Sequence, residues 1–260
     1  PVACKELYDF SIDTGFEVVC IGKGKNNPLD QTATPESLKE RAMKKNMNPK
    51  MLASFVDGSK TMIEMTSLSN GIGLPLDKVG MNGPVSEVSE LNKNLIPKSD
   101  GGVLEESGRV DFAFGPAPGV FSIITTDNPT IIEEMEYLSM GEGPYYTLYR
   151  PYHLASVEAP RSVGMAIINN EPGLQPTTWI SEVVGHAKKD LKPGDKIDGI
   201  GGFSSYGVAY PYSETNGLAP LGLIEGATVV GDIKQGEPIP RDSIELPDNL
   251  INNLRNKQNN

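Results

Sequence analysis

The chain has 260 residues, of which 38% are hydrophobic and 22% are charged, the proportions of a soluble globular protein with room for two domains. Acidic residues outnumber basic ones by 34 to 23, and the resulting net charge of −11 argues against binding to nucleic acid. No window reaches the roughly 18 consecutive apolar residues of a membrane helix, so the sequence predicts no membrane partner. The two cysteines are too few for a disulfide framework and predict a reducing, cytoplasmic location.

The first predicted elements are a helix over residues 1–14 and a strand over residues 16–21. Apolar residues recur at helical spacing in the first segment, and the second is a continuous apolar run typical of a strand buried on both faces. Because the helical pattern is already under way at Pro1, we expect the chain to be part of a longer protein. Residues 22–27 (GKGKNN) then follow the carboxyl end of a buried strand, where open α/β sheets bind their ligands.

A second helix is predicted over residues 49–70, with apolar residues at intervals of three and four. An Asp and a Lys one turn apart on such a helix can exchange a proton with a bound hydroxyl or carbonyl group. The ordinary alternative is a surface helix with alternating charges, whose ion pairs contribute little. The polar residues that would share its outer face are Lys50, Ser54, Asp57, Lys60, Thr61 and Glu64.

The middle of the chain predicts an α+β domain. Residues 71–108 are rich in Gly, Pro, Asn and Ser, which indicates a long connection that wraps the domain or covers a site as a lid. The elements predicted after it are a β-hairpin of residues 109–115 and 119–125, a helix over 129–138, a strand over 145–149, and a helix over 152–169 that Pro160 should kink.

The last third is rich in short β-like runs punctuated by Gly and Pro, which predicts a small all-β module. It contains an internal repeat, because residues 190–197 (DLKPGDKI) recur 42 residues later as residues 232–239 (DIKQGEPI). Two copies are too few for a solenoid and predict a pseudo-symmetric pair of turns within one domain. Residues 247–260 are predicted to be a disordered tail.

Two places outside the second helix carry polar residues that suit a site. Lys23 and Lys25 flank a glycine after the buried strand, where they could hold a phosphate or carboxylate or exchange a proton, or could be two solvated lysines. Arg150 and His153 follow a predicted strand, and a guanidinium group suits an anion. His186 has no cluster around it and is interpreted as structural. No spacing of His, Cys or acidic residues predicts a metal site.

Four segments in order, EVVCIGKGKNNP, MNPKMLASFVDGSKTMIEM, LYRPYHLASVEAPRS and AKKDLKPGDKIDGIGGFSSYG, resemble one group of enzymes. These are the homoserine dehydrogenase-like NAD(P)-dependent oxidoreductases with a C-terminal SAF domain, a group that includes deoxyxylulose phosphate reductoisomerase-like enzymes. The resemblance implies a remnant of an α/β Rossmann domain over residues 1–22 and an α+β catalytic and oligomerisation domain over residues 23–170. A small all-β SAF domain of the β-clip type is implied over residues 177–246.

The resemblance, combined with the motifs above, also predicts the site. A lysine after a Rossmann strand and an Asp/Lys pair on a helix are the acid–base group of homoserine dehydrogenases, but the pair here is three residues apart instead of four. The predicted catalytic residues are Lys25, Asp57 and Lys60, the substrate-binding residues are Lys23, Asn26, Asn48, Lys50, Glu64, Arg150 and His153, and the cofactor-binding residues are Gly22 and Lys23.

The function predicted in this way is NAD(P)-dependent oxidation or reduction of a small polar hydroxy compound, with or without a phosphate group. NADP or NAD would be bound mainly by a missing N-terminal domain, the protein would be a homo-oligomer, and the 260 residues alone would be inactive. The proposal requires the Lys25 and Lys60 ammonium groups to converge on one cavity. The alternatives are a non-enzymatic SAF-type module that binds a carbohydrate or a protein, and a lyase or dehydratase that uses the same Lys and Asp groups.

Overall fold

The computed structural model describes residues 1–258, which form two compact units. Unit 1 consists of Pro1–Asn26 and Glu64–Ile180. Unit 2 consists of Asn27–Ile63 and the chain from Ser181 onward. The boundaries of the three predicted domains fall at other positions, and that domain assignment stays a prediction.

The chain has a mixed α/β fold, with one mixed sheet of four strands and two sheets of two strands among the described residues. The helices are α1 (Val2–Asp13), α2 (Lys39–Lys44), α3 (Pro49–Val56), α4 (Ser59–Ile72), α5 (Leu91–Asn94), α6 (Pro129–Tyr137), α7 (Ala155–Gly164) and α8 (Leu250–Gln258). The strands are β1 (Glu17–Lys25), β2 (Arg109–Phe114), β3 (Val120–Thr125), β4 (Tyr145–Arg150), β5 (Ser181–Ala187), β6 (Ser205–Pro211), β7 (Thr228–Val229) and β8 (Ile244–Glu245).

The four-stranded sheet of unit 1 has the strand order β2-β1-β3-β4. β2 runs parallel to β1, and β3 is antiparallel to both β1 and β4. Strands β1, β2 and β4 therefore point the same way, and their carboxyl ends lie at one edge of the sheet, which we call the carboxyl edge. Lys23, Val120 and Arg150 stand side by side near this edge in the strand register.

The sheet is buried on both faces. One face packs on an apolar cluster in which Val19, Phe121 and Ile123 meet residues of the long connection. The other face packs on α1, where the Ser11 and Ser122 hydroxyl oxygens lie 3.1 Å apart. The apolar run that predicted a strand buried on both faces is thus confirmed.

β1 is longer than the sequence predicted. The run of residues 22–25 was expected to be a loop beyond the strand, but it continues the pairing of β1 with β2 as far as Lys25 and Phe114. Gly22 and Gly24 alternate with Lys23 and Lys25, so the two lysines share one face of the strand. The backbone of both lysines is therefore held in the sheet and not in a loop beyond it.

The predicted β-hairpin of residues 109–125 is wrong, although both of its strands exist. β1 lies between β2 and β3, so the link of residues 115–119 crosses the end of β1. Gly24 makes room for this crossing, because a Cβ atom there would lie 2.3 Å from backbone atoms of the link. The Gly24 N–H also donates to the Gly119 carbonyl at 2.9 Å. A short Gly- and Pro-rich link favours a hairpin, and only the long-range pairing with β1 reveals the crossing.

Residues 71–108 wrap the sheet with little regular structure, as predicted. Isolated bridges join Leu76 and Val85 to β2. The carboxylate of Asp111, buried in β2, accepts hydrogen bonds at 3.0 Å from the backbone N–H and the side-chain amide of Asn82, and burial raises the pKa of Asp111. The segment also supplies the core leucines Leu91, Leu95 and Leu104. It is thus a fixed part of unit 1.

The single helix predicted over residues 49–70 is wrong, because the chain breaks between α3 and α4. Gly58 adopts a φ of 90°, in the left-handed region that favours glycine. The Oδ1 atom of Asp57 accepts a hydrogen bond from the Ser59 N–H at 2.8 Å. Asp57 and Lys60 therefore do not share the face of one continuous helix, although the apolar periodicity continues across the break.

The predicted repeat is confirmed as a pseudo-twofold pair within unit 2. Leu191 of the first copy and Ile233 of the second exchange backbone hydrogen bonds of 2.8 and 3.1 Å. Each copy also supplies one lysine and one aspartate to its counterpart. These reciprocal ion pairs are Lys192–Asp232, at 2.9 Å, and Lys234–Asp190, at 3.0 Å.

The tail and the last helix of unit 1 also differ from expectation. Residues 250–258 form α8 instead of a disordered tail. Asn249 Oδ1 accepts a hydrogen bond from the Asn252 N–H at 2.9 Å, and Arg255 pairs with Glu182. Residues 259 and 260 lie outside the described chain.

In the last helix of unit 1, Pro160 lies inside α7, and a π-helical turn follows this helix. The apolar side chains along this stretch are exposed: Leu154, Val157, Val163, Ile167 and Ile168. No helix in residues 1–258 is both long and apolar enough to cross a membrane.

Candidate active site

The carboxyl edge of unit 1 holds a pair of opposite charges. Lys23, on β1, forms an ion pair with Glu64, on α4. Their side chains are 13% and 18% exposed, so the pair is largely but not fully withdrawn from water. Lys25 lies two residues further along the same face of β1 and is buried. Lys23 and Lys25 thus share one face of β1, and the predicted Glu64 contacts Lys23.

His153 lies three residues beyond β4, whose carboxyl end shares this edge. The backbone of Pro118 acts to raise the pKa of the His153 ring. Its Nδ1 atom is buried and has no hydrogen-bond partner among residues 1–258. Burial lowers the pKa of His153, and the nearby Lys23 ammonium adds to this effect while Glu64 opposes it. The imidazole is therefore neutral at neutral pH and lies within the electrostatic reach of the Lys23–Glu64 pair.

Cys4, on α1, packs beneath this group. Its Sγ lies 3.5 Å from the Gly22 carbonyl oxygen. Burial raises the pKa of Cys4 to about 11, although Lys23 and Arg150 oppose the shift. The thiol therefore stays protonated at neutral pH and is a packing group, not a nucleophile.

Arg150 is already engaged by carboxylates. Its guanidinium pairs with Glu6 at 2.8 Å and with Glu158, and Arg161 also pairs with Glu6. Both edges of the guanidinium fork face an acidic side chain of α1 or α7. The predicted role of Arg150 in holding an anionic substrate group has little support from this arrangement, which instead ties α1 and α7 to β4.

Gly22, predicted to bind a cofactor, is enclosed by the sheet. A Cβ atom there would lie 1.7 Å from the Asp111 carbonyl oxygen and 3.1 Å from the Phe121 ring. These contacts favour a packing role for Gly22, in which glycine permits the close approach of β2. Asn26, at the end of β1, is exposed.

Unit 2 holds a second pair of opposite charges, which is fully buried. Asp57 Oδ2 lies 2.8 Å from Lys188 Nζ, and the two side chains are 0% and 1% exposed. Lys188 also donates to the carbonyls of Ala33, at 2.6 Å, and Gly202, at 2.8 Å. This pair ties four segments of unit 2 together. The catalytic role of Asp57 stays a prediction, and its surroundings favour a structural one.

The remaining predicted residues of unit 2 make local contacts. Asn48 caps α3 by accepting hydrogen bonds from the Lys50 and Met51 N–H groups. Lys50 Nζ donates to the Asp198 carbonyl at 3.3 Å. Lys60 Nζ lies 4.3 Å from the centre of the Phe55 ring, a cation–π contact. The structure thus places Lys25 in unit 1, whereas Asp57 and Lys60 belong to unit 2.

Lys188 is the residue that the sequence did not reveal. It stands in a run of charged residues, KKD, which is typical of a solvated turn. The neighbouring Lys189 and Asp190 are indeed exposed, and only the fold shows that Lys188 points inward. Within residues 1–258, no three His, Cys, Asp or Glu side chains group as a metal site would require.

Comparison with known protein families identifies the chain as an oxidoreductase. A model of the family described as "Oxidoreductase DRL, catalytic domain" matches residues 1–159. The chain therefore belongs to this oxidoreductase family. The match includes residues 1–22, which the sequence assigned to a Rossmann remnant, and ends before the β-rich part of unit 2. A search of the curated proteins returned no relative.

Proposed function

We propose that this oxidoreductase transfers a hydride between a nicotinamide cofactor and a small polar hydroxy compound, and that it handles the substrate proton at the carboxyl edge of unit 1. The membership in the family supports oxidation or reduction. The nicotinamide and the hydroxy compound rest on the resemblance to homoserine dehydrogenase-like enzymes and on the groups at this edge.

The observation that carries the proposal is the partly exposed Lys23–Glu64 pair beside the neutral imidazole of His153. A carboxylate partner holds an ammonium group in place before the reaction begins. Such a fixed ammonium can stabilise the negative charge that develops on a substrate oxygen, because it does not have to rearrange first. In an open sheet the carboxyl ends of parallel strands are also the usual place of ligand sites. The position of the carboxyl edge in the sheet and the charges found there thus both favour this edge as the substrate site.

Lys25 is the proposed acid–base residue. In the reductive direction its ammonium group donates a proton to the carbonyl oxygen of the substrate, and in the oxidative direction its amine accepts the hydroxyl proton. Lys23, held by Glu64, faces the same oxygen as a fixed positive charge. A nicotinamide cofactor, when bound, supplies the hydride donor or acceptor. Of the two residues predicted to bind the cofactor, only Lys23 is proposed to contact it, because Gly22 is enclosed by the sheet.

The direct test is nicotinamide-linked turnover by the protein expressed from its complete natural reading frame. A panel of small hydroxy acids, amino alcohols and phosphorylated polyols is assayed with NAD and NADP, first for the wild type and then for Lys25→Met. We expect turnover by the wild type and a loss of about a hundredfold in kcat for the variant, the usual effect of removing a general acid–base group. Lys93→Met, at an exposed lysine of unit 1, is the matched control. Absence of wild-type turnover with both cofactors overturns the proposal.

The other predicted features are retained as proposals of the same account. They are a SAF domain of the β-clip type in the β-rich part of unit 2, a catalytic contribution of Lys60, a small-molecule partner and a homo-oligomer. The backbone pairing of the two repeat copies, Leu191 with Ile233, supports a compact β-rich module in this part of the chain.

A further inference from the structure

The helix α7 is attached to the rest of unit 1 by its charged side chains. Glu158 pairs with Arg150 of β4, and Arg161 pairs with Glu6 of α1. None of the ten residues Ala155–Gly164, all of which the structure describes, is buried. A surface helix ordinarily packs an apolar stripe on the core and turns its charges to water. In α7 this arrangement is reversed.

The apolar side chains along α7 and the π-helical turn after it form an exposed surface, which we call the α7 surface. Val157, Ile167 and Ile168 are 73%, 77% and 82% exposed, and Leu154 and Val163 are about half exposed. Scattered apolar side chains are normal on a protein surface, but five within fifteen residues form a patch. Such a patch commonly marks an interaction site.

The charges of this stretch are already compensated. Glu158 and Arg161 are the only Asp, Glu, Lys or Arg residues between positions 151 and 170, and each is engaged by a partner of unit 1. The whole chain carries a net charge of −11, so two copies repel each other over most of their surfaces. The α7 surface therefore lets two copies meet without bringing like charges together.

We propose that the α7 surface is a contact between two copies of this chain. The contact would be isologous, with the same surface on both copies related by a twofold axis. The five apolar side chains expose roughly 300 Å² of apolar area. Each partner contributes about 800 Å² to a standard interface, so these residues would form the apolar core of the contact and their neighbours its rim. The inference gives the proposed homo-oligomer a defined surface and does not depend on the proposed reaction.

Other kinds of occupant fit this surface less well. A membrane attracts helices that are rich in Lys and Arg on their polar side, and α7 has a single arginine, which is held by Glu6. A nucleic acid requires a basic surface. Interfaces between two copies of one chain are more apolar than those between transient partners, which agrees with the composition of the α7 surface.

The first experiment measures the molar mass of the complete natural protein by light scattering over a range of concentrations. We expect a dimer, and we expect Val157→Glu to weaken it at least about a hundredfold, because a carboxylate would be buried in the contact. Glutamate is a good helix former, so α7 itself should persist. The matched control is Val85→Glu, the same change at a side chain of unit 1 that is 83% exposed and lies outside α7.

The result of this comparison is decisive in both directions. A dimeric wild type that Val157→Glu dissociates and Val85→Glu does not supports the proposal. A monomeric wild type overturns it, and so does an equal effect of the two variants. If another part of the same natural chain covers α7, the wild type is monomeric, and the proposal is overturned in that case too.

A spin label locates the contact without placing a charge in it. Ser156, exposed in the first turn of α7, is replaced by cysteine and labelled, while Cys4 and Cys20 are buried and stay unlabelled. Helices in contact have axes about 8 to 10 Å apart, so the labels of the two copies should lie close together. A dimer whose Ser156→Cys labels show no dipolar coupling overturns the proposal.

Salt distinguishes an apolar contact from one that ion pairs hold. Screening weakens the repulsion between two chains of net charge −11, so the dimer should be as strong or stronger at about 0.5 M than at about 0.05 M salt. The assay needs no substrate, so a lack of turnover defeats the proposed function and leaves this result standing. A dimer that dissociates as the salt concentration rises is held by ion pairs and overturns the proposal.

Discussion

Two lysine–carboxylate ion pairs, one in each unit, use the same chemistry in two different ways. In unit 2, Asp57 and Lys188 are withdrawn from water, and the lysine also donates to two backbone carbonyls. In unit 1, Lys23 and Glu64 keep 13% and 18% of their side chains exposed at the carboxyl edge of the sheet. The Asp57–Lys188 pair is therefore out of reach of a ligand, whereas the residual exposure of the Lys23–Glu64 pair leaves it accessible to one.

The physical basis of this difference is the cost of burying charge. A charge in a low-dielectric interior is tolerated only when its partners replace the lost water, and a fully buried pair offers no surface to a ligand. A pair at an edge retains water that a substrate can displace. The predictions below test this distinction, beginning with the largest effect.

Lys188→Met should destabilise the protein strongly. The variant leaves the Asp57 carboxylate buried without its cation, and breaking a buried pair in this way costs about 3 to 5 kcal/mol. The free energy of unfolding, measured by urea denaturation, gives the value. Lys189→Met is the matched control, because its side chain is exposed, and it should stay within about 0.5 kcal/mol of the wild type. Equal effects of the two variants would remove the structural role of Lys188.

Lys23→Met should destabilise the protein less than Lys188→Met. Its partner Glu64 is 18% exposed and can recover hydration, so we expect a loss of about 1 to 2 kcal/mol, between the values for surface and buried pairs. Urea denaturation under the same conditions measures the difference. A loss as large as that of Lys188→Met contradicts the distinction between the two pairs.

Acidification should lower stability partly through His186. Burial lowers the pKa of His186 below the ordinary value of 6.5, so between the two values the unfolded chain binds more protons than the folded one. Stability is therefore present above the unfolded pKa and is lost as the pH falls toward the folded pKa. Unfolding free energy measured from about pH 7.5 to about pH 5.5 should fall less steeply in His186→Gln than in the wild type. The same slope in both proteins would show that this histidine is not responsible.

The exposed ion pairs of the repeat should have the smallest effect. Lys192→Ala removes one of the two reciprocal pairs, whose side chains are more than half exposed, and solvent screens such pairs. The urea midpoint should stay almost unchanged, because backbone pairing between Leu191 and Ile233 holds the two turns together. A shift of the urea midpoint as large as that of Lys23→Met would mean that solvent exposure does not determine how much an ion pair contributes to stability.

Local sequence patterns predicted the elements well where each depends on its own residues. The first helix, the first four strands and the helix after Asn128 lie close to their predicted places, since periodicity and caps are local signals. The apolar run predicted the strand that leads to Lys23 and Lys25, but the two lysines were expected in the loop beyond it, whereas the strand continues to Lys25.

The wrong predictions concern contacts between residues that are distant in sequence. Nothing local indicates that β1 separates β2 from β3, because pairing partners are chosen by the whole sheet. The break at Gly58 has a local signal in the Asp-Gly pair, but the apolar period continues across it and conceals it. The inward direction of Lys188 has no local signal, since its neighbours are solvated charges.

The central claim is that the Lys23–Glu64 pair is functional, and kcat/KM of Glu64→Gln tests it most directly. The variant keeps the shape of the side chain but removes the charge that fixes Lys23. Measured on the complete natural protein, below its unfolding temperature, it should show a nicotinamide-linked kcat/KM at least about tenfold below the wild type. A value equal to the wild type contradicts the account and leaves the pair as a packing contact.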